Sequence, residues 1–232
     1  VKMFVAMPLS QSVIPCFSRE TRRFGRIDPR KRILCFGDSL TAGYYAQGNR
    51  FHPYANLLKK LLGVEVDYIG LSGWTTRQMC DGKDNDSCVD VVKRSWRGLR
   101  AQLRRNRYTH CIILGGTNDV SGSSPDMILS NLRTLHAIAR QFGCKTVALT
   151  IPELAAERRQ PQIHETRLRV NEAILQRKIE CDLVVDIDKV LPLANASDVQ
   201  RKSIWEPDGL HLQPEGYDTV ARAISSQITQ VI

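Results

Sequence analysis

The stretch Arg32–Gly43, RILCFGDSLTAG, places the tightest limits on what this chain can fold into. Ile33, Leu34, Cys35 and Phe36 form a short continuous apolar run that stops at Gly37. Such a run suits a strand covered on both faces, as in a parallel sheet, where strands read as unbroken hydrophobic segments. The turn that follows, Gly37-Asp38-Ser39-Leu40-Thr41, then falls at the carboxyl end of that strand. Open α/β sheets hold their ligands on this edge. Two readings of the turn compete: Asp38 or Ser39 caps the next helix by accepting from its orphan N–H groups, or Ser39 is a nucleophile. Four residues alone do not choose between them.

The rest of the chain repeats the pattern. Pro53–Leu62 has apolar residues at helical spacing and Gly63 as its stop, followed by a second strand over Val64–Ile69 and a permissive loop, Gly70-Leu71-Ser72-Gly73-Trp74-Thr75-Thr76. Gln78–Cys88 reads as a polar loop, and Val89–Arg105 as a helix, with Val92, Trp96, Leu99 and Leu103 at helical intervals. His110–Leu114 is a third strand, ended by Gly115-Gly116-Thr117-Asn118-Asp119. A helix over Pro125–Phe142, a strand over Lys145–Ile151, a helix over His164–Ile179, a strand over Leu183–Ile187 and a closing helix over Pro214–Ile232 complete the reading. Alternating strands and helices predict one domain, a three-layer α/β/α sandwich around a five-stranded parallel sheet. Ser39, Gly73 and Asn118 each follow a strand, and Asp208-Gly209-Leu210-His211 lies in the loop before the last helix. In a parallel sheet such loops open on one edge, so these distant residues can converge on one crevice.

Composition narrows the function. The net charge is +9, and residues 1–32 carry eight basic side chains against two acidic ones, so most of the excess belongs to the leader. A nucleic-acid module asks for basic residues interleaved with aromatics on a folded surface, or for a recognised reading element, and the sequence has neither. No apolar run is long enough for a transmembrane segment. Residues 1–31 read as a basic N-terminal extension, either a solvated arm or an organelle targeting segment, ahead of a domain over 32–232. Seven cysteines, with Cys35 and Cys111 inside apolar runs, suit buried free thiols and an intracellular setting, cytoplasmic or organellar. Cys80 and Cys88 flank a polar loop, and their spacing leaves open whether they pair. The phosphate-cradling and zinc-binding signatures are missing, so the chemistry expected here calls for no metal or organic cofactor.

The four blocks Gly37-Asp38-Ser39-Leu40-Thr41, Gly70-Leu71-Ser72-Gly73, Gly115-Gly116-Thr117-Asn118-Asp119 and Asp208-Gly209-Leu210-His211, in this order, resemble those of the SGNH, or GDSL, hydrolase superfamily of esterases, lipases and carbohydrate deacetylases. The resemblance runs from about residue 32 to the carboxyl terminus. It implies a flavodoxin-like sheet and a serine hydrolase. Ser39 matches the nucleophile, His211 the general base and Asp208 the carboxylate that orients it. The oxyanion hole would draw on the N–H groups of Ser39 and Gly73 and the amide of Asn118.

Substrate contacts are less constrained. Asp38, Trp74 and Trp205, with Tyr44 and Tyr45, adjoin the blocks and are candidates for lining a pocket, although core packing competes for the aromatics. The segment 152–162, PELAAERRQPQ, follows the fourth strand on the same edge and is a candidate lid. A small-molecule ester is the expected partner. Simple esters, acetylated sugars, lysophospholipids and thioesters all fit the blocks, and a non-catalytic binding member is the rival of a different class.

Overall fold

The alternation of side chains along the first strand explains the layering. In β1 (Arg32–Gly37) Leu34 and Phe36 join one buried cluster while Ile33 and Cys35 join another on the opposite face. A strand buried on both sides must be covered twice, and successive side chains point to opposite faces. In the computed structural model, which describes residues 31–229, four further strands continue the sheet: β2 (Glu65–Gly70), β3 (His110–Leu114), β4 (Lys145–Leu149) and β5 (Leu183–Val185). All pairings are parallel, in the order β2-β1-β3-β4-β5.

Helices cover both faces. On one side α3 (Thr76–Asp81), α4 (Leu99–Arg105), α5 (Pro125–Gln141) and α6 (Pro161–Leu175) deliver Met79, Leu99, Leu132 and Val170 to the cluster of Leu34 and Phe36. On the other, α1 (Ser39–Ala42), α2 (Tyr54–Leu62) and α9 (Pro214–Ile228) bring Leu40, Leu58 and Ile224 to Ile33 and Cys35. The fold is therefore the expected three-layer α/β/α sandwich. From β1 the chain moves outward to β2 and then returns to place β3 on the other flank of β1, so the order reverses there and leaves a crevice at the carboxyl edge.

Gly37 closes β1 for a steric reason. A β-carbon at this position would lie 2.3 Å from the Leu114 carbonyl oxygen and 2.4 Å from Thr41 Oγ1. Only glycine lets α1 begin so close to β3.

Three stretches differ from the sequence reading. Part of the loop expected over 78–88 is α3, whose Thr75 and Gln78 form a capping box: Gln78 N–H donates to Thr75 Oγ1 at 3.3 Å and Thr75 N–H to Gln78 Oε1 at 2.9 Å. The helix expected over 89–105 is helical only in α4. Before it, Cys88–Val89 pairs antiparallel with Ser95–Trp96. The buried Asp90 carboxylate accepts from the N–H groups of Val92 and Arg94 at 3.1 and 2.8 Å, closing a turn that a helix cannot keep. Two short helices, α7 (Ile187–Val190) and α8 (Asp198–Ile204), occupy the stretch between the fifth strand and the 208–211 block, to which the sequence reading assigned no element; the second has its own Ser197/Gln200 capping box. Cys80 and Cys88 are both free thiols, donating to different carbonyls, Asn131 and Gly82. The leader over residues 1–30 lies outside the described residues. Among those described, no helix is long and apolar enough to cross a membrane.

Candidate active site

Ser39 is the first residue of α1, held there by the residue before it. Asp38 is the helix N-cap, its Oδ1 accepting from Leu40 N–H at 2.9 Å. The capping interpretation of the motif is thus true of Asp38, and it leaves the Ser39 hydroxyl unused for capping. Asp38 is fully buried, which rules it out as a surface for substrate. Burial raises its carboxyl to about 6, although the Leu40 N–H and the neighbouring Thr117 hydroxyl pull the other way. Its Oδ2 and Thr117 Oγ1 are both buried, and among the described residues neither has a partner in good hydrogen-bond geometry.

The imidazole reaches Ser39 from the far end of the chain. Residues 205–212 fold back on themselves, with Trp205 bridged antiparallel to Leu212, Glu206 N–H donating to the His211 carbonyl at 2.9 Å and Gly209 N–H to the Glu206 carbonyl at 3.0 Å. Gly209 takes φ +62°, a backbone conformation that side chains disfavour. Within this turn Asp208 does two jobs. Oδ1 accepts from the N–H groups of Leu210 and His211, both at 2.9 Å, while Oδ2 lies 2.7 Å from His211 Nδ1. His211 Nε2 is then 3.0 Å from Ser39 Oγ. Partial burial of Asp208 works against ionisation, but the imidazole and the two backbone donors outweigh it and hold the carboxyl down at about 2. A carboxylate so stabilised stays ionised and fixes which imidazole nitrogen faces the serine.

Tyr44 supports the ring from one face. Its centroid lies 4.2 Å from that of His211, tilted by 34°, and its carbonyl accepts from the buried Tyr217 hydroxyl at 2.6 Å. The sequence reading listed Tyr44 only as a pocket residue; its packing on the imidazole depends on contacts between residues far apart in the chain.

The two other donors expected for the oxyanion hole, Gly73 and Asn118, lie in the loops after β2 and β3, the two strands flanking β1. Gly73 adopts φ +76°, and a β-carbon there would lie 2.6 Å from Val91 Cγ1. Neither Ser39 N–H nor Gly73 N–H donates to an acceptor among the described residues. Asn118 Nδ2 donates to the Trp74 carbonyl at 3.0 Å, which ties its amide to the Gly73 turn and leaves a second N–H for another acceptor. The next residue sets this loop: Asp119, buried, accepts from Thr76 N–H at 3.1 and 2.9 Å and from Thr76 Oγ1 at 2.6 Å. Those contacts join the β3 loop to the start of α3.

Of the aromatic candidates, Trp205 is 2% exposed and packs in the core, with its indole N–H donating to the Pro192 carbonyl at 3.0 Å. It offers no surface to a substrate, because the turn that carries His211 needs a buried anchor. Trp74 is half-buried and donates to the Val89 carbonyl at 3.3 Å. The candidate lid is anchored rather than free: Ala155 N–H donates to the Gly209 carbonyl at 2.9 Å, Glu153 Oε2 accepts from Leu193 and Ala194, and Glu157 is held by the buried Arg167 at 2.6 Å. This segment braces the turn that bears Asp208 and His211.

Comparison with known proteins agrees with this architecture. A model of the GDSL-like lipase/acylhydrolase family matches residues 35–219. Among solved structures, TesA is 20% identical with a TM-score of 0.66, covering 87% of this chain and 100% of its own. A lipase/acylhydrolase from Enterococcus faecalis is 22% identical with a TM-score of 0.59, covering 86% and 96%. An acetyl-xylooligosaccharide esterase from Geobacillus stearmophilus is 19% identical with a TM-score of 0.60, covering 86% and 94%. At these identities the likeness speaks to the fold. No curated protein matches the chain.

Proposed function

Because the chain belongs to the GDSL-like lipase/acylhydrolase family, we propose that it is a serine hydrolase that cleaves carboxylic esters through an acyl-enzyme intermediate. The observation that carries this reading is the continuous relay from Asp208 through His211 to Ser39, at 2.7 and 3.0 Å.

A serine hydroxyl is a weak nucleophile until a base takes its proton. In the proposed reaction Ser39 Oγ attacks the ester carbonyl as His211 Nε2 accepts the hydroxyl proton, and Asp208 stabilises the resulting imidazolium. The carbonyl oxygen, now negative, is received by the N–H groups of Ser39 and Gly73 and the free N–H of Asn118. Collapse of the tetrahedral intermediate breaks the bond to the alcohol oxygen, which leaves with the proton from His211, and the acyl group stays on Ser39. Water enters, gives a proton to His211 and attacks the acyl carbonyl; release of the acid returns the proton to Ser39.

The test is hydrolysis of p-nitrophenyl acetate and butyrate by the wild-type chain and by Ser39→Ala, together with labelling by a fluorophosphonate. Turnover and labelling that both vanish in Ser39→Ala are the expected result. Equal rates in the two proteins would remove the proposal.

A further inference from the structure

A strained turn beside the active site is packed onto one aromatic ring. Tyr44–Tyr45 pairs antiparallel with Arg50–Phe51, and the chain between them turns through Ala46, Gln47 and Gly48 at φ +51°, +56° and +82°. Two of these left-handed residues carry side chains that disfavour such backbone. Strain of this kind persists only where the surrounding structure fixes it, and it collects at functional sites. Here the turn fixes Tyr44. A β-carbon at Gly48 would lie 2.7 Å from Tyr44 Cε2 and 2.9 Å from the Tyr44 hydroxyl oxygen, so the turn comes down on the outer part of the ring. Phe51 meets the ring edge to face, with centroids 6.0 Å apart at 85°, and the Arg94 guanidinium in turn covers Phe51 at 4.0 Å. The Tyr217 hydroxyl holds the backbone of Tyr44 by its bond to the carbonyl. The Tyr44 hydroxyl makes no hydrogen bond among the described residues, which leaves the face of the ring as the part this packing presents.

Resting on the esterase reading above, we propose that Tyr44 is a positioning residue for catalysis: its ring holds the His211 imidazole toward Ser39 and stabilises the imidazolium that forms when the serine proton is taken. The 4.2 Å centroid separation and 34° tilt set the electron-rich face of the phenol against the imidazole. A cation within about 6 Å of an aromatic centroid is attracted to that face. The neutral imidazole gains less from it than the cation does. The contact is therefore stronger in the transition state than before it, which is the condition for raising kcat rather than only tightening binding. Asp208 and Tyr44 restrain the ring differently: the bond at Nδ1 sets which nitrogen is turned to Ser39, and the covered face opposes rotation of Nε2 away from Ser39 Oγ. Acylation and deacylation both pass through the imidazolium, so both steps share the benefit.

The experiment measures kcat and KM for p-nitrophenyl butyrate, with melting temperatures, in the wild-type chain, Tyr44→Leu and Tyr44→Phe. Tyr44→Leu should lower kcat about tenfold, the scale of a face contact to a desolvated cation, with KM changed by less than about twofold. Tyr44→Phe keeps the face and loses only the unbonded hydroxyl, so its kcat should stay within about twofold of wild type. Gly48→Ala should lower kcat where Tyr44 is present and have no further effect in Tyr44→Leu, as for two residues acting through one contact. Where Tyr44→Leu melts below the assay temperature, Tyr44→Met is read on the same criteria. NMR of the His211 ring protons in Ser39→Ala gives a reading independent of turnover: the Tyr44 ring shields nuclei over its face, so adding Tyr44→Leu should move those resonances downfield and adding Tyr44→Phe should not. A Tyr44→Leu kcat within about twofold of wild type, a Tyr44→Phe as slow as Tyr44→Leu, or a loss confined to KM, the mark of a substrate contact, would each overturn the assignment. So would His211 resonances that stay in place. If Ser39→Ala hydrolyses the ester as fast as the wild type, the esterase reading fails, and the resonances alone then decide whether Tyr44 holds the imidazole.

Discussion

Asp38→Asn should make this protein more stable at neutral pH. The carboxyl is fully buried and raised from 3.8 to about 6, with burial as the main cause. Between those two values the folded protein keeps a proton that the unfolded chain has already released, so stability falls as pH rises through this window and levels off above it. A displacement of this size corresponds to about 3 kcal/mol at full ionisation, at 1.36 kcal/mol per pH unit. Asparagine keeps an oxygen for the Leu40 N–H and turns its NH2 toward the neighbouring buried Thr117 Oγ1, which can accept from it. The variant should therefore show a gain of about 1–3 kcal/mol over wild type at pH 7.5, shrinking toward zero near pH 4, where the wild-type carboxyl is protonated. Urea unfolding at a series of pH values, with m-values compared, measures this directly. A variant less stable than wild type at pH 7.5, or one whose advantage is the same at pH 4 and 7.5, would refute the reasoning and imply that the charge on Asp38 is compensated.

Three further outcomes are expected. Asn118→Ala should lower kcat for p-nitrophenyl esters by about 10²–10³, the scale for losing one oxyanion donor, with little change in melting temperature. Gly209→Ala sets a β-carbon 2.3 Å from Ala155 Cβ at φ +62°; it should cost about 1–3 kcal/mol by strain and overpacking and reduce kcat/KM at least as much as it shifts the melt, read by parallel kinetics and calorimetry. Arg167→Ala leaves Glu157 and Asp188 facing each other without the cation that bonds them at 2.6 and 2.7 Å; it should destabilise the fold by about 3–5 kcal/mol in urea melts, the cost of breaking a buried pair.

The five strands, their parallel arrangement and the order of the four blocks were legible in the chain, because unbroken apolar runs ended by glycine have few other places to go than a sheet buried on both faces. His110–Leu114 matches its strand residue for residue. The same local logic misread 89–105: a helical spacing of Val92, Trp96, Leu99 and Leu103 was outweighed by one carboxylate, Asp90, that closes a turn on backbone N–H groups, Ser72 of the β2 loop among them at 3.4 Å. The capping boxes at Thr75 and Ser197 were written in the sequence as T-x-x-Q and S-x-x-Q, but their helices are too short for periodicity to mark them.

What the amino-acid order determined by itself is which side chains are available and at which strand ends they stand; a hydroxyl at 39, a carboxylate and an imidazole three residues apart at 208 and 211, and an amide at 118 follow from covalent position and local turn chemistry. Only the tertiary structure decided that Asp38 is sealed in the core, that Trp205 anchors a turn, and that Tyr44 lies against His211. Burial and stacking are properties of what arrives from elsewhere in the chain, and no window of neighbouring residues contains that information.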